Sequence, residues 1–244
     1  MNKAEFESRL KQTFFSNGLS VYATEKNIDR FFRLSDRMLA VNAAMNLTAL
    51  RDEESLIARH FADSLLAAEL LPEGACTLLD VGSGSGMPAL PLAIVRPDIC
   101  VTALDATAKK TTYISQTAEL LGLQNVHTLT GRAEELSHNS LYRERFDVVC
   151  ARAVAELRIL LEWSIPFLKP GGIFLALKGK NAQTEIESSS NAFSLLSCKI
   201  VLDKNICLRE ETTTSERHLL MIKKLSPTEK KYPRRNALIT KRPL

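Results

Sequence analysis

The sequence predicts an α/β protein, a parallel sheet with helices on both faces, preceded by a helical N-terminal extension. Three observations carry this. Apolar residues in the first third recur at helical spacing; after Gly74 short strand-type runs alternate with helical stretches; and those runs end at Gly, Asp or Ala, the turn positions where such sheets bind ligands.

The elements follow in order. From Lys26 to Met45, residues Ile28, Phe31, Phe32, Met38, Leu39 and Met45 mark one face of a helix, and Leu56, Ile57, His60, Phe61, Leu65 and Ala68 do the same from Glu53 to Leu71. Asp52, Glu53 and Glu54 favour the second helix start through its dipole, and Pro72 with Gly74 ends it. Four strands are expected next: Thr77 to Val81 stopping at Gly82, Cys100 to Leu104 at Asp105, Val126 to Leu129 before Gly131, and Phe146 to Cys150 at Ala151. Helices are expected over Pro88 to Val95, Lys109 to Leu121 and Ala155 to Leu168, so the strands pair in parallel through right-handed crossovers. Lys169-Pro170-Gly171-Gly172 reads as a turn before a strand at Ile173 to Leu177. Cys198 to Leu208 and His218 to Lys224, divided by polar Arg209 to Arg217, read as an antiparallel pair at the sheet edge. The organisation expected is a helical extension over residues 1–74, a core over 75–225 and a basic tail over 226–244.

Composition narrows the setting. Of 244 residues, 45% are apolar and 25% charged, which excludes global disorder. The longest uncharged stretch, Val81 to Val95, is too short to span a bilayer, and Lys3, Glu5, Glu7, Arg9 and Lys11 leave no apolar run for a signal peptide. A cytoplasmic protein without membrane association is expected. Five widely spaced cysteines without a CxxC pair point to reduced thiols and to no metal site. The net charge of +4 is uneven: residues 223–244 hold eight Lys or Arg against one acid, while the remainder is mildly acidic. Such a tail suits a polyanion, with the Tyr232 ring available for base stacking and Pro233 and Pro243 stiffening the segment; a solvated, frayed terminus is the alternative.

The sharpest motif is Asp80-Val81-Gly82-Ser83-Gly84-Ser85-Gly86-Met87-Pro88, between a strand and a helix. Its spacing is G-x-G-x-G where a dinucleotide fingerprint needs G-x-G-x-x-G, so dinucleotide binding is disfavoured. Asp105 ends the second strand, where a carboxylate can accept two ribose hydroxyls, and Gly131-Arg132-Ala133-Glu134 can face an adenine edge. The competing reading is a tight turn with solvated acids. His60, on an apolar helical face, reads as a structural histidine rather than a base. Lys178-Gly179-Lys180, after the fifth strand, is a candidate phosphate contact, whereas Lys109-Lys110 reads as solvated.

Asp80 to Pro88 resembles the first motif of class I methyltransferases that use S-adenosylmethionine. The wider set resembles the RsmG (GidB) family of bacterial small-subunit rRNA guanine-N7 methyltransferases: Asn46 to Ala49, His60 to Leu65, Leu79 to Pro97, Gly131 to Glu134, Phe146 to Val154, Leu168 to Gly179 and the tail Lys231-Tyr232-Pro233-Arg234-Arg235. The chain departs from the family pattern at Gly86-Met87-Pro88-Ala89 and at Ala237 and Ile239.

The resemblance implies a Rossmann-like, mostly parallel seven-stranded sheet and methyl transfer from S-adenosylmethionine to N7 of a guanine in a 16S rRNA loop. Gly82, Gly84, Gly86 and Met87 would line the cofactor, Asp105, Ala106 and Thr107 its ribose and adenine, Ala133 and Glu134 the adenine, and Arg152 its α-carboxylate. Lys178, Lys180, Lys231, Arg234 and Arg235 would meet RNA. The implied partner is small-subunit rRNA or the 30S particle, met by a monomer. No general base is expected, because guanine N7 carries a lone pair and no proton. The alternatives are a methyltransferase for a small molecule or protein, and a non-catalytic RNA-binding module on the same fold.

Overall fold

The computed structural model describes residues 1–244. Seven strands, β1 Thr77–Val81, β2 Cys100–Asp105, β3 Val126–Thr130, β4 Phe146–Arg152, β5 Leu168–Lys178, β6 Cys198–Arg209 and β7 Thr214–Lys224, form one sheet in the order β3-β2-β1-β4-β5-β7-β6. The first five run parallel; β7 is antiparallel to β5 and to β6. The chain order reverses between β1 and β4, so a crevice opens at the carboxyl ends of the central strands.

Side-chain alternation divides the sheet between two cores. Leu78, Val101, Ala103, Val148 and Cys150 face one side, while Leu79, Leu104, Val149, Ala151 and Phe174 face the other. The first side is covered by α1 Lys3–Ser16, α2 Glu25–Met45, the segment Glu53–Leu65, α5 Ala89–Val95 and α6 Ala108–Leu121; here α3 is Glu53–Leu56 and α4 is Asp63–Leu65. The second is covered by α8 Leu157–Ser164 and α10 Ser190–Leu195, with α7 Ala133–Leu136, α9 Ala182–Glu187 and α11 Asn236–Lys241 around them. The N-terminal helices share one apolar cluster with the sheet. Phe14, Phe31 and Phe61, one from each of the first three helical segments, pack in series, edge-to-face at 5.6 Å and then tilted at 5.1 Å between ring centres. Asn2 and Glu5 close a capping box at the start of α1. No helix is long and apolar enough to cross a membrane, and no group of His, Cys, Asp or Glu has the arrangement of a metal site.

Four expectations change. The helix from Glu53 is interrupted: Ile57–Ala62 is π-helical, a widened turn that inserts Arg59 and His60 on the side facing the strand ends, and regular helix stops at Leu65. The helix expected over Ala155 to Leu168 is limited to α8, because Pro166 cannot donate to a continuing helix; a 3₁₀ turn, Ile165–Phe167, leads directly into β5. Lys169 to Gly172 does turn, but as a bulge inside β5: Phe146 pairs with Leu168 and Val148 with Ile173. The polar connection after β6 shrinks to four residues, since β7 begins at Thr214.

The tail is the larger correction. It is not frayed. Arg143 donates to the carbonyls of Thr228, Glu229 and Tyr232, and the Tyr232 ring is 5% exposed within the second core, so it is not available for base stacking. Burying the ring removes more apolar surface from water than a tyrosine on a free tail could.

Candidate cofactor pocket and adjoining cationic cavity

Two cavities lie side by side at the carboxyl ends of the strands. The first, of about 250 Å³, lies at the ends of β1, β2 and β3 and is walled by Gly82, Asp105 to Thr107, Gly131 to Glu134 and the apolar groups of Val81, Leu104, Val154 and Trp163. The Asp105 carboxylate is fixed on both sides: Oδ2 accepts from the Gly84 amide at 3.0 Å and Oδ1 from the Thr107 amide at 2.8 Å. Lys110 stands 3.6 Å from it. Each Asp105 oxygen keeps a second lone pair for an incoming hydroxyl. The walls therefore offer apolar faces for a flat ring and a poised carboxylate, and the Trp163 indole N–H is buried without a partner in the chain.

The sequence-predicted cofactor residues separate into three groups. Gly82, Asp105, Ala106, Thr107, Ala133 and Glu134 come together in this cavity. Gly84 and Gly86 shape the loop: Gly84 gives its amide to Asp105, while a Cβ on Gly86 would meet Leu90 at 2.6 Å, so that glycine admits the following helix. Met87 is 4% exposed within the first core, its sulfur 4.0 Å from Ser64 Oγ, and does not reach the cavity wall. The loop turns there to bury a long apolar side chain.

Arg152 belongs to the second cavity, of about 430 Å³, with Arg59, Asp63, Lys178, Glu185 and Arg217 among its walls. Asp63 joins two arginines: Arg152 Nη1 donates to Oδ2 at 2.8 Å and Arg217 Nε to Oδ1 at 2.7 Å. Arg152 also donates to the Arg59 carbonyl at 2.8 Å and to His60 Nδ1 at 3.2 Å. His60 Nδ1 also lies 3.1 Å from the Arg59 carbonyl and Nε2 lies 2.9 Å from Thr48 Oγ1, so both ring nitrogens are engaged. Burial first, and then Arg152, lower the His60 pKa to about 4, so the ring is neutral. Neutral and fully engaged, His60 positions Arg152, in agreement with its sequence reading as a structural residue.

Ala153, in the left-handed region at φ 54°, makes the ridge between the cavities, with Arg152 on one side and Val154 on the other. A Cβ on Gly82 would lie 2.8 Å from the Val154 side chain, so this glycine lets the ridge approach the β1 loop. Beneath the loop, Asp80 accepts from the Ala89 amide at 3.1 Å, while its Oδ1 is buried without a partner. Burial pushes this carboxyl up to about 7, against the pull of the Ala89 amide and Arg152.

The expected RNA contacts also divide. Lys178 is buried and bound to Glu185 at 2.6 Å and the Ala155 carbonyl at 2.8 Å. Arg234 is locked on the fully buried Glu162. Lys180 and Arg235 are exposed, and Lys231 is exposed beside Glu229 at 2.9 Å.

The profile of the rRNA small subunit methyltransferase G family matches residues 27–219. The chain belongs to that family. Among its curated members, Ribosomal RNA small subunit methyltransferase G of Lactobacillus helveticus is 38% identical over 225 residues, covering 91% of this chain and 92% of that protein. The Acetivibrio thermocellus protein of the same name is 37% identical over 246 residues, with both chains covered in full. More distant structures share the methyltransferase fold. A ribosomal protein L11 methylase from Lactobacillus delbrueckii subsp. bulgaricus has a TM-score of 0.52 at 20% identity, covering 69% of this chain and 79% of that one. M. jannaschii TYW2, solved with AdoMet, has a TM-score of 0.52 at 14% identity, covering 67% and 77%. The family's profile begins inside α2 and ends inside β7, so it spans both cavities, while the clamped tail lies outside it.

Sequence reasoning did not find Arg59, Asp63, Glu185, Arg217 or Trp163. Trp163 is the sole tryptophan, but nothing local aims it at the strand ends. The ion-pair partners are distant in the chain, Asp63 and Arg217 by 154 positions.

Proposed function

We propose that this family member transfers the methyl group of S-adenosylmethionine to N7 of a guanine in a 16S rRNA loop. One observation carries the reading: an adenosine-sized cavity with apolar walls and a poised carboxylate shares a ridge with a strongly cationic cavity. The residues fit the cofactor. Asp105 would accept the ribose hydroxyls, Ala133 and Glu134 would flank the adenine edge, and Val81, Leu104 and Trp163 would cover its faces.

When bound, S-adenosylmethionine supplies a methyl group on a sulfonium, and the leaving group is neutral. The chain's task is alignment, since in-line displacement gains most from holding nucleophile, methyl carbon and sulfur in register. Guanine N7 has no proton to lose, so the reaction needs no general base. Charge separates the ligands. The first cavity has Asp105 and Glu134 against Arg132 and suits a cationic cofactor; the second suits a nucleic acid. Exposed Lys180 follows Lys178 and Gly179 of the second cavity, while Lys231 and Arg235 offer further cations beside Glu134 of the first.

The test is incubation of the purified protein and labelled S-adenosylmethionine with 30S particles from cells lacking the enzyme, followed by nucleoside mass spectrometry. N7-methylguanine in 16S rRNA is the expected product. Cofactor binding without label in rRNA overturns the reading, and label in protein or small molecules instead supports a different acceptor.

A further inference from the structure

The second cavity contains more positive charge than its own carboxylates neutralise. Arg59, Arg152, Lys178 and Arg217 line it with Asp63 and Glu185, and Glu210 beside it takes up Arg59, so one positive charge is left over. The arginines are not equally committed. Arg152 is held by Asp63, the Arg59 carbonyl and His60. Arg59 spends only Nε, on Glu210 at 2.7 Å, and Arg217 spends Nε on Asp63 and Nη1 on the Glu216 carbonyl. Both Nη groups of Arg59 and Nη2 of Arg217 are therefore unpaired donors at the cavity wall.

Their supports come from three parts of the chain: the π-helical turn for Arg59, β4 for Arg152 and β7 for Arg217. A π-turn costs regular hydrogen bonding, and this one lies where a cationic group reaches the cavity mouth. Two planar guanidinium groups with free outer N–H pairs, around a space of about 430 Å³, match a phosphate group rather than a carboxylate-sized ion.

We propose that this cavity seats the phosphodiester adjoining the target guanosine, with Arg59 and Arg217 donating to its oxygens and the Arg152–Asp63 pair as the fixed wall. The inference rests on the RNA reading above. It explains how the base is presented: gripping the phosphate on one side of the Ala153 ridge delivers the attached guanine toward the other. Arg59 and Arg217 thus bind the substrate phosphate, and Arg152 positions Arg217 through Asp63 and the Arg59 backbone through its carbonyl.

The test uses the full-length protein and the 30S methylation assay. Arg59→Gln is the primary variant, because Arg59 is half exposed and leaves the Asp63 pairs intact; Arg217→Lys retains the charge beside Asp63 and Arg217→Gln removes it. With Arg59→Gln, KM for the particle should rise about tenfold or more, and the slope of log kcat/KM against log salt should become shallower by about 0.7, one single-strand phosphate contact. S-adenosylhomocysteine affinity, by calorimetry, should stay within about twofold, since one tenfold step is about 1.4 kcal/mol and none of that contact touches the cofactor. Arg217→Lys should keep the wild-type salt slope and Arg217→Gln lose it. Unchanged KM and slope in Arg59→Gln overturn the phosphate seat, as does a loss of cofactor affinity alone, which would assign the cavity to the cofactor. Failure of wild-type protein to methylate rRNA instead overturns the RNA reading on which it rests.

Discussion

Arg234→Ala tests whether the basic tail is an RNA contact or a structural clamp. Glu162 is 0% exposed and receives the Arg234 amide at 2.7 Å, Nε at 2.8 Å and Nη2 at 2.7 Å, while the Arg234 side chain is 20% exposed. Removing one partner of a buried pair costs about 3–5 kcal/mol, because the remaining carboxylate stays charged and desolvated. Partial exposure of Arg234 lets water reach the vacated space, so the lower end, about 3 kcal/mol, applies. For a chain of this length each kcal/mol lowers Tm by about 2–4 °C, giving a drop of about 6–12 °C by scanning calorimetry. The double variant Glu162→Gln with Arg234→Met should recover more than half, since no uncompensated charge remains and Gln still accepts the residue-234 amide. A Tm within about 1 °C of wild type for Arg234→Ala, with a shallower salt dependence of RNA binding, would refute the clamp.

Three further outcomes are expected. Burial raises the folded pKa of Asp80 to about 7 from its ordinary value near 3.8, so the folded state binds the extra proton between those values. Its stabilising contribution is complete below pH 4 and lost as pH rises through 7; Asp80→Asn should therefore gain stability relative to wild type at pH 8 but not at pH 4, by urea denaturation, and equal differences at both pH values contradict the assignment. The His60 imidazole, titrated by NMR, should show an inflection near pH 4; one between 6 and 7 would mean that it is not buried against Arg152. Because the sole tryptophan, Trp163, lines the proposed cofactor cavity, S-adenosylhomocysteine should change tryptophan emission saturably, and Trp163→Phe should abolish the signal while weakening affinity less than tenfold. Calorimetric binding without any emission change would place the cofactor elsewhere.

Much of the fold is legible in the sequence because apolar alternation is a local record of burial. Leu78 and Leu79 face opposite cores in the structure as adjacent strand residues must, and the first four expected strands match the observed bounds within two residues, while β5 starts five residues before Ile173. Asp105, Glu134 and Gly82 are legible for the same reason: each lies at or just past the carboxyl end of its own strand, and a parallel sheet brings those ends together. The methyltransferase pattern is thus written in short segments.

Only the tertiary structure decided which charges are free. Lys178 and Arg234 belong to the same basic clusters as Lys180 and Arg235, yet the former pair with Glu185 and Glu162 while the latter stay exposed. Met87 and Tyr232 likewise leave their motifs for the core. The cationic cavity is assembled from Arg59, Asp63, Arg152 and Arg217, with Arg152 89 positions and Arg217 154 positions from Asp63. Burial repeats along the chain with the period of a strand or helix and so leaves a trace in the sequence. A salt bridge is a relation between two distant side chains, and it leaves none until the backbone has brought them within 3 Å.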